Sequence, residues 1–354
     1  MPIVPELPWK DLETKGFIHV QRFLSPADVA ACRDDYARQP VDEKNKNNAL
    51  SVASELATST LQPAIEDLMA RVRANTTIRV DANLGSYYFA TTRGVFPWHQ
   101  DHESWLTTQN HWDYLNLFIP VVKPRKDKSN LCIVPFDVLE RESPKTFRSL
   151  VRRGAMLAYD LPDRQLLFQS DSGVAHLTRV PLERLSFVPQ LEAGDMLMLR
   201  GDILHRTQDG DTERVALSIR LGDSQTIIRR SRLADGGLMK MRTMSQNIQQ
   251  YEPFFRAFDR AKRDELPWHE LERLIESGRA DAPPLPDRPR RYLLQQKIRS
   301  GVLMSSALKV LNELVRNQLL VKYHTWQASK AAVRPPRAEQ SVELDVASAK
   351  ARSR

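Results

Sequence analysis

The feature that most constrains this chain of 354 residues is a series of short apolar or alternating segments between about residues 77 and 223. Pro, Gly, Asp and Asn, which favour turns, separate the segments. The segments read SYYFAT, DYLNLFIPVV, NLCIVP, AMLAYD, RLSFVPQ, DMLMLR and RVALSIRL. Several short strands with turn signals between them are typical of an all-β sandwich or barrel. The sequence therefore predicts a mainly β domain.

One of these segments divides its side chains into two faces. In DYLNLFIPVV, one face carries Leu115, Leu117, Ile119 and Val121, and the other carries Tyr114, Asn116 and Phe118. Successive side chains of a strand point to opposite sides. In a closed double sheet, one of these faces looks into the cavity.

Helical segments flank the β region. Residues 16–24 predict a strand, after which Ser25 caps a helix that has Pro26 in its first turn and Asp28 three residues after the cap. Residues 61–73 predict a second helix. Beyond about residue 245, EPFFRAFDRAK and PWHELERLIES predict short helices. A longer helix is predicted from an apolar stripe formed by Leu308, Leu311, Val315 and Leu319.

These patterns predict three parts of the chain. Residues 1–244 form the β domain with its amino-terminal helices, and residues 245–330 form a helical extension. The apolar stripe of that extension needs a partner surface, either the barrel or a second copy in a homodimer. Residues 331–354 are rich in Pro, Ala, Ser and charge, so we expect a disordered tail.

Composition narrows the class of protein. No apolar run approaches the roughly 20 residues of a membrane span, and the amino terminus does not read as a secretory signal. Cys32 and Cys132 are the only cysteines and form no C-x-x-C pair. So few cysteines argue against a disulfide scaffold, and a reducing cytoplasm is the expected compartment. The formal charge is +8. Because no nucleic-acid-binding motif accompanies it, an anionic small molecule is the favoured partner over nucleic acid. Residues 123–128, KPRKDK, are a candidate basic loop.

A candidate metal site begins in the sequence F-P-W-H-Q-D. His99 and Asp101 are separated by one residue, so on an extended strand their side chains point to the same side. Such a triplet also arises by chance in solvated turns. The stretch AGDMLMLRGDILHRT, however, supplies His205 at the end of a later extended run. Together the three residues match a 2-His-1-carboxylate triad, which leaves metal positions open for a bidentate oxo acid and O2.

Two residues that follow the third ligand in sequence, Arg214 and Thr207, suit the binding of a co-substrate. Arg214 begins the strand RVALSIRL, where a buried guanidinium pairs at two points with the distal carboxylate of 2-oxoglutarate. Thr207 lies on the same side as His205, and its hydroxyl is placed to assist. Asn116 is predicted either to contact the co-substrate or to make a structural hydrogen bond.

These residues resemble the phytanoyl-CoA dioxygenase-like family, which includes ectoine hydroxylase. The resemblance covers roughly residues 16 to 222, through GFIHVQRFLSPADV, WHQD, GDMLMLRGDILH and RVALSIR. It implies a double-stranded β-helix, the jelly-roll barrel of cupins. It also implies Fe(II) and 2-oxoglutarate as cofactor and co-substrate, with O2 as oxidant. Trp105, four residues past Asp101, is similar to the aromatic residue after the metal motif of ectoine hydroxylase and is predicted to line the substrate pocket.

The implied activity is hydroxylation of an unactivated C–H of a small molecule, with release of succinate and CO2. Two departures from the family pattern stand out. The stretch HRTQDGDTER is shorter than the family's and has Thr207 where serine is usual, which leaves Arg220 as a substitute for Arg214. The middle turn is replaced by VPFDVL. An oxygenase acting on a macromolecule and a non-catalytic cupin-like binding protein are the alternatives.

Overall fold

The computed structural model describes residues 6–38, 50–52, 55–101, 109–153, 155–161, 165–170, 175–178, 180–234 and 248–280. The chain divides into two compact units, Met1–Glu313 and Leu314–Arg354. All described residues belong to the first unit.

Strands account for most of the architecture around the site. In chain order they are β1 (Phe17–Val20), β2 (Leu50–Val52), β3 (Ala82–Ala90), β4 (Tyr114–Val122), β5 (Leu131–Ile133), β6 (Ala155–Leu161), β7 (Gln165–Ser170), β8 (Ala175–Thr178), β9 (Met196–Arg200), β10 (His205–Thr207), β11 (Val215–Gly222), β12 (Ile227–Arg229) and β13 (Glu265–Pro267).

Helices precede, interrupt and follow these strands. They are α1 (Lys10–Thr14), α2 (Pro26–Arg38), α3 (Glu55–Asn75), α4 (Phe136–Glu142), α5 (Pro144–Leu150), α6 (Leu182–Leu185), α7 (Arg230–Ala234), α8 (Ile248–Ala261) and α9 (Trp268–Ala280). None of the described helices is long and apolar enough to cross a membrane.

The main sheet has six strands in the order β1-β9-β4-β11-β3-β2. Its central strand, β11, pairs antiparallel with both β3 and β4, so that Arg220 lies opposite Asn116 of β4. A second sheet pairs β10 with β5, and isolated bridges extend it through His99–His205 and Ile133–Phe187. Smaller sheets are β6-β7-β8 and β12-β13. The fold is therefore mainly β with helices, and no sheet formed by the described residues is closed.

The two faces of β4 have different surroundings, as its sequence pattern predicts. Leu115, Leu117 and Ile119 share one buried cluster with Ile65 and Leu68 of α3. Asn116 and Phe118, on the opposite face, line an internal cavity. Burial of the first face against the helices therefore fixes which side chains of β4 reach the cavity.

Several predicted elements are confirmed. The Ser25 hydroxyl accepts a hydrogen bond from the Asp28 amide at 3.1 Å and donates to the Asp28 carboxylate at 2.7 Å, which is the predicted cap. The helix predicted over residues 61–73 spans Glu55–Asn75, and the strand predicted over 16–24 is limited to Phe17–Val20. Both helices predicted after residue 245 form as α8 and α9. The apolar stripe at residues 308–319 lies outside the described residues.

One stretch differs from the expectation of successive strands. After β5, residues 136–150 form α4 and α5, for which the sequence analysis predicted no helix. Phe136 and Leu139 are buried on α4, and Leu150 is buried on α5, at helical spacing. Pro144 stands in the first turn of α5, where its missing N–H costs no hydrogen bond.

A buried ion pair supports the turn between β9 and β10, which carries the second histidine of the site. Arg200 and Asp202 are 1% and 0% exposed, and their side chains meet at 2.6 Å. The Asp202 carboxylate also accepts the Arg152 amide at 2.8 Å. Loss of the carboxylate would leave a guanidinium buried without its counter-ion, which is costly in a low-dielectric interior.

We predict that Asp202→Ala lowers the free energy of unfolding by about 3–5 kcal/mol, measured by urea denaturation. The control is Asp127→Ala, which removes the partner of Arg125 in an ion pair whose two side chains are 58% and 45% exposed. Solvent screens that pair, so the control should lie close to the parent chain. Equal losses in the two variants would contradict the supporting role of the buried pair.

Candidate metal centre

The first two candidate ligands lie on an extended segment that joins the smaller sheet. The amide of His99 donates to the His205 carbonyl at 2.9 Å, and the amide of His205 donates back to the His99 carbonyl at 3.0 Å. The Asp101 amide donates to the Gly201 carbonyl at 3.1 Å, so the segment remains attached two residues later. This pairing brings residues more than a hundred positions apart in sequence into one site.

Both histidines are oriented by their own backbone. Nδ1 of His99 lies 2.7 Å from the Pro97 carbonyl, and Nδ1 of His205 lies 3.0 Å from the Ile203 carbonyl. A carbonyl oxygen can only accept, so each Nδ1 carries the proton and donates it. Each neutral ring then keeps its Nε2 lone pair for a metal, as is usual for histidine ligands.

The predicted triad is brought together. His99, Asp101 and His205 each offer one ligand atom, and these atoms lie within 4.8 Å of one another. Asp101 and His205 are 2% and 3% exposed, and the two imidazole rings have centroids 4.3 Å apart. Two neutral imidazoles and one carboxylate on the same side suit a divalent transition metal, so the donor set fits the predicted ion.

Arg220 touches the carboxylate of this group. Its Nη1 lies 2.9 Å from Oδ1 of Asp101, and both side chains are about 95% or more buried. The sequence analysis treated Arg220 as a substitute for Arg214 and did not foresee this ion pair. The pairing follows from the register of β11, which no local motif reveals. Arg220 is the counter-ion of the Asp101 carboxylate and fixes its position.

Arg214 lies in the same cavity but makes different contacts. Its Nε donates to the Ser129 carbonyl at 3.1 Å, and its guanidinium carbon lies 5.1 Å from the centre of the Phe118 ring. Burial lowers the pKa of Arg214 to about 10, an effect that Asp209 partly opposes. The side chain is therefore still cationic at neutral pH. Among the described residues, no carboxylate lies within 4.0 Å of this guanidinium.

The remaining predicted site residues divide into two groups. Thr207 lines the cavity, and its hydroxyl oxygen accepts the Phe96 amide at 3.1 Å. Asn116 also lines the cavity, and its Oδ1 accepts the Ser218 hydroxyl at 2.7 Å. Asn116 thus makes the structural hydrogen bond that was one of its two predicted roles. Trp105 lies outside the described residues.

The cavity that unites these groups is small and mixed in character, with a volume of about 50 Å³. Its apolar walls come from Phe89, Phe96, Phe118 and Leu131. Its polar groups are the triad, Arg214, Arg220 and the hydroxyls of Thr207 and Ser218. An apolar enclosure strengthens the attraction between the buried cations and an anion that enters.

Comparison with known proteins finds similar solved structures. No family model matches the chain, and no curated protein matches it. The non-heme alpha ketoglutarate dependent carbocyclase SnoK from nogalamycin biosynthesis is 17% identical, with 65% of this chain and 90% of that chain covered and a TM-score of 0.45.

Two further solved structures are similar to this chain. EvdO2 from Micromonospora carbonacea var. aurantiaca, complexed with 2-oxoglutarate, is 12% identical over 63% of this chain and 94% of that chain, with a TM-score of 0.43. HygX from Streptomyces hygroscopicus, with nickel and 2-oxoglutarate bound, is 17% identical over 60% and 84%, with a TM-score of 0.36. At these identities and TM-scores, the similarities do not assign the chain to a family.

We predict that Arg220→Gln destabilises the metal-free chain by about 3–5 kcal/mol, because it leaves the Asp101 carboxylate buried without its counter-ion. A divalent cation bound at Asp101 would compensate that charge. Saturating Co(II) should therefore recover part of the loss in urea unfolding, since a ligand that binds only the folded state stabilises it. In the control Arg220→Gln with Asp101→Asn, Co(II) should recover nothing. The same loss with and without Co(II) in the single variant would place the cation elsewhere.

Proposed function

We propose that this chain is an Fe(II)- and 2-oxoglutarate-dependent dioxygenase that hydroxylates an unactivated C–H of a small molecule, with release of succinate and CO2. One observation carries the proposal: a 2-His-1-carboxylate group and a buried arginine without a carboxylate partner among the described residues face the same cavity. The metal group alone would also suit zinc. The arginine beside it adds a reason for a bound oxo acid.

His99, Asp101 and His205 would hold Fe(II), and 2-oxoglutarate would bind beside it. Bound Fe(II), 2-oxoglutarate and O2 together supply the oxidising power for attack on a C–H bond. The protein residues position these reactants. The Pro97 and Ile203 carbonyls fix the two imidazole tautomers, and Arg220 pairs with the Asp101 carboxylate and holds it in place. The aromatic walls exclude water from the cavity.

Arg214 would bind the distal carboxylate of 2-oxoglutarate. Its Nε is engaged by the Ser129 carbonyl, which fixes the plane of the guanidinium. Its position at the head of β11, with Thr207 lining the same cavity, is the one predicted from sequence. Asn116 would contact the co-substrate through its side-chain amide, whose oxygen accepts a hydrogen bond from the Ser218 hydroxyl.

The strand arrangement supports a double-stranded β-helix. Strands β3, β4, β9 and β11 belong to the main sheet, whereas His99, β5, Phe187 and β10 form the smaller, opposing set. The chain passes repeatedly between the two sets, which is the order of a jelly roll. The phytanoyl-CoA dioxygenase-like family is our proposal for the closest grouping, on the motifs named above.

Several finer points belong to the same proposal. Trp105 would line the substrate pocket, and the helices after residue 245 would cover the barrel or join two copies in a homodimer. We place the protein in the cytoplasm. The sequence holds no RNA- or peptide-recognition motif, which favours a small molecule over a macromolecule. The set of His99, Asp101, His205 and Arg214 favours an enzyme over a non-catalytic binding protein.

We predict that His99→Ala abolishes Fe(II) binding and Fe(II)-dependent formation of succinate from 2-oxoglutarate. Removal of one imidazole leaves two protein ligands, too few to retain the ion. The measurements are iron content after anaerobic loading and succinate yield on exposure to air with candidate small molecules. His269→Ala is the control. His269 is an exposed residue of α9, and its ring lies near the Ser224 carbonyl. Retention of both properties in His99→Ala would disprove the triad.

We predict that Arg214→Lys raises the dissociation constant of 2-oxoglutarate at least about tenfold, because lysine keeps the charge but loses the planar fork. Fe(II) affinity should stay unchanged. Binding is followed by the visible charge-transfer absorption of a 2-oxo acid on Fe(II). Arg125→Lys, an exposed substitution, is the control. If Arg220→Lys weakens 2-oxoglutarate and Arg214→Lys does not, the co-substrate arginine has been misassigned.

A further inference from the structure

A second, larger cleft lies outside the cavity that holds the triad. It has a volume of about 670 Å³, in the range of sites for whole small molecules. Among the described residues, Arg79, Arg152, Arg153 and Arg232 line it, against a single acidic residue, Asp223. The Asp223 carboxylate already accepts the Gln225 amide at 2.9 Å. The described lining is therefore strongly cationic.

The exposed Arg152 of this cleft stacks on an aromatic ring. The guanidinium carbon of Arg152 lies 3.7 Å from the centre of the Trp112 ring, while the Arg200 guanidinium lies 3.9 Å from it. The Arg152 amide is anchored on Asp202. Asp202 is the counter-ion of Arg200, whereas the exposed Arg152 lines the cleft and has Glu13 as an acidic neighbour. A fixed guanidinium loses little entropy when it binds an oxyanion.

Two further arginines of the cleft, Arg79 and Arg153, are open to solvent. Arg79 has a side chain 76% exposed, and its guanidinium is 3.8 Å from the Asp113 carboxylate, a loose ion pair that a ligand can replace. Arg153 is exposed and its Nε donates to the Arg148 carbonyl at 3.2 Å. The fork of each thus keeps N–H groups available for an anion.

Strand register connects the cleft to the metal centre. Arg220 lies opposite Asn116, and Gly222 lies opposite Tyr114. Asp223, in the cleft wall, follows Gly222 directly. Asp223 comes three residues after Arg220, which is about 10 Å of extended strand, so the cleft wall lies about 10 Å along the strand from the residue that contacts Asp101. Arg214, the proposed 2-oxoglutarate arginine, lies at the opposite end of β11. The cleft is thus at the end of the strand that the co-substrate does not use.

We propose that this cleft binds the phosphate group of a phosphorylated small molecule, whose remainder extends towards the metal centre. The inference deepens the proposed function by naming the substrate class. A phosphomonoester carries a charge of about −1.5 to −2 at neutral pH and three acceptor oxygens, which several guanidinium forks can share. A single carboxylate would leave most of the charge of the cleft without a counter-ion.

The basic loop at residues 123–128 suits this role less well. Its Arg125 pairs with Asp127, and Lys128 pairs with Asp211 at 2.9 Å. The loop also follows the far end of β4, about 25 Å from Tyr114 at the strand spacing of roughly 3.3 Å per residue. Arg125 and Lys128 are thus compensated, and the loop lies at the other end of the sheet from the cleft.

The test uses isothermal titration calorimetry to measure the binding of inorganic phosphate and of methyl phosphate to the full, metal-free chain. The variants are Arg79→Gln, Arg152→Gln and Arg153→Gln. The matched control is Arg141→Gln, an arginine 67% exposed and outside the cleft. We expect saturable binding of both probes, weakened about tenfold by Arg152→Gln and about threefold or more by each exposed substitution, since a charge-assisted hydrogen bond is lost. Arg141→Gln should bind like the parent chain.

Several outcomes would overturn the proposal. These are no saturable binding, equal weakening by Arg141→Gln, or weakening by Arg214→Lys in place of the cleft variants, which would put phosphate in the metal cavity. Stronger binding of succinate than of methyl phosphate would make the ligand a carboxylate. If Arg152→Gln unfolds, Arg79→Gln and Arg153→Gln decide. Because no iron is used, failure here leaves the proposed oxygenase intact, and failure of the iron experiments leaves this test valid.

Discussion

The antiparallel pairing of His99 with His205 is the contact on which the site depends. Two backbone hydrogen bonds, at 2.9 and 3.0 Å, join these residues across the smaller sheet. The same register sets Asp101 beside Gly201 and hence beside the turn that Arg200 and Asp202 stabilise. Because side chains alternate along a strand, a shift of one residue would turn the imidazoles away from each other. The register of the smaller sheet therefore brings the three candidate metal ligands together.

Local patterns predicted the parts of the fold that local physics controls. The alternation in β4 identified its two faces because burial of Leu115, Leu117 and Ile119 against α3 leaves Asn116 on the cavity side. The Ser25 cap was readable because its partner lies only three residues away. The two helices after β5 were not predicted, since VPFDVL is short and apolar and reads equally well as strand, and only packing of Phe136 and Leu150 decides between them.

The candidate site shows the same division. The His99 and Asp101 pair was visible in sequence because both ligands lie on one strand, and His205 was visible because the GDMLMLRGDILH pattern placed it at the end of another. The ion pair of Arg220 with Asp101 was not visible, because it joins two strands whose register is set by the whole main sheet. The basic cleft was also missed. Arg79 is far in sequence from the adjacent Arg152 and Arg153, and the three belong to no motif.

Charge placement along β11 connects these findings. Arg214 at its first end and Arg220 near its other end line the metal cavity, and Asp223, just beyond the strand, lines the basic cleft. Each buried cation has a separate reason to be there: Arg220 compensates Asp101, whereas Arg214 meets only carbonyl oxygens and an aromatic ring among the described residues. Desolvation of an uncompensated guanidinium is expensive and lowers the pKa of Arg214 to about 10. An anionic ligand that binds beside Arg214 would offset this desolvation cost by pairing with the guanidinium.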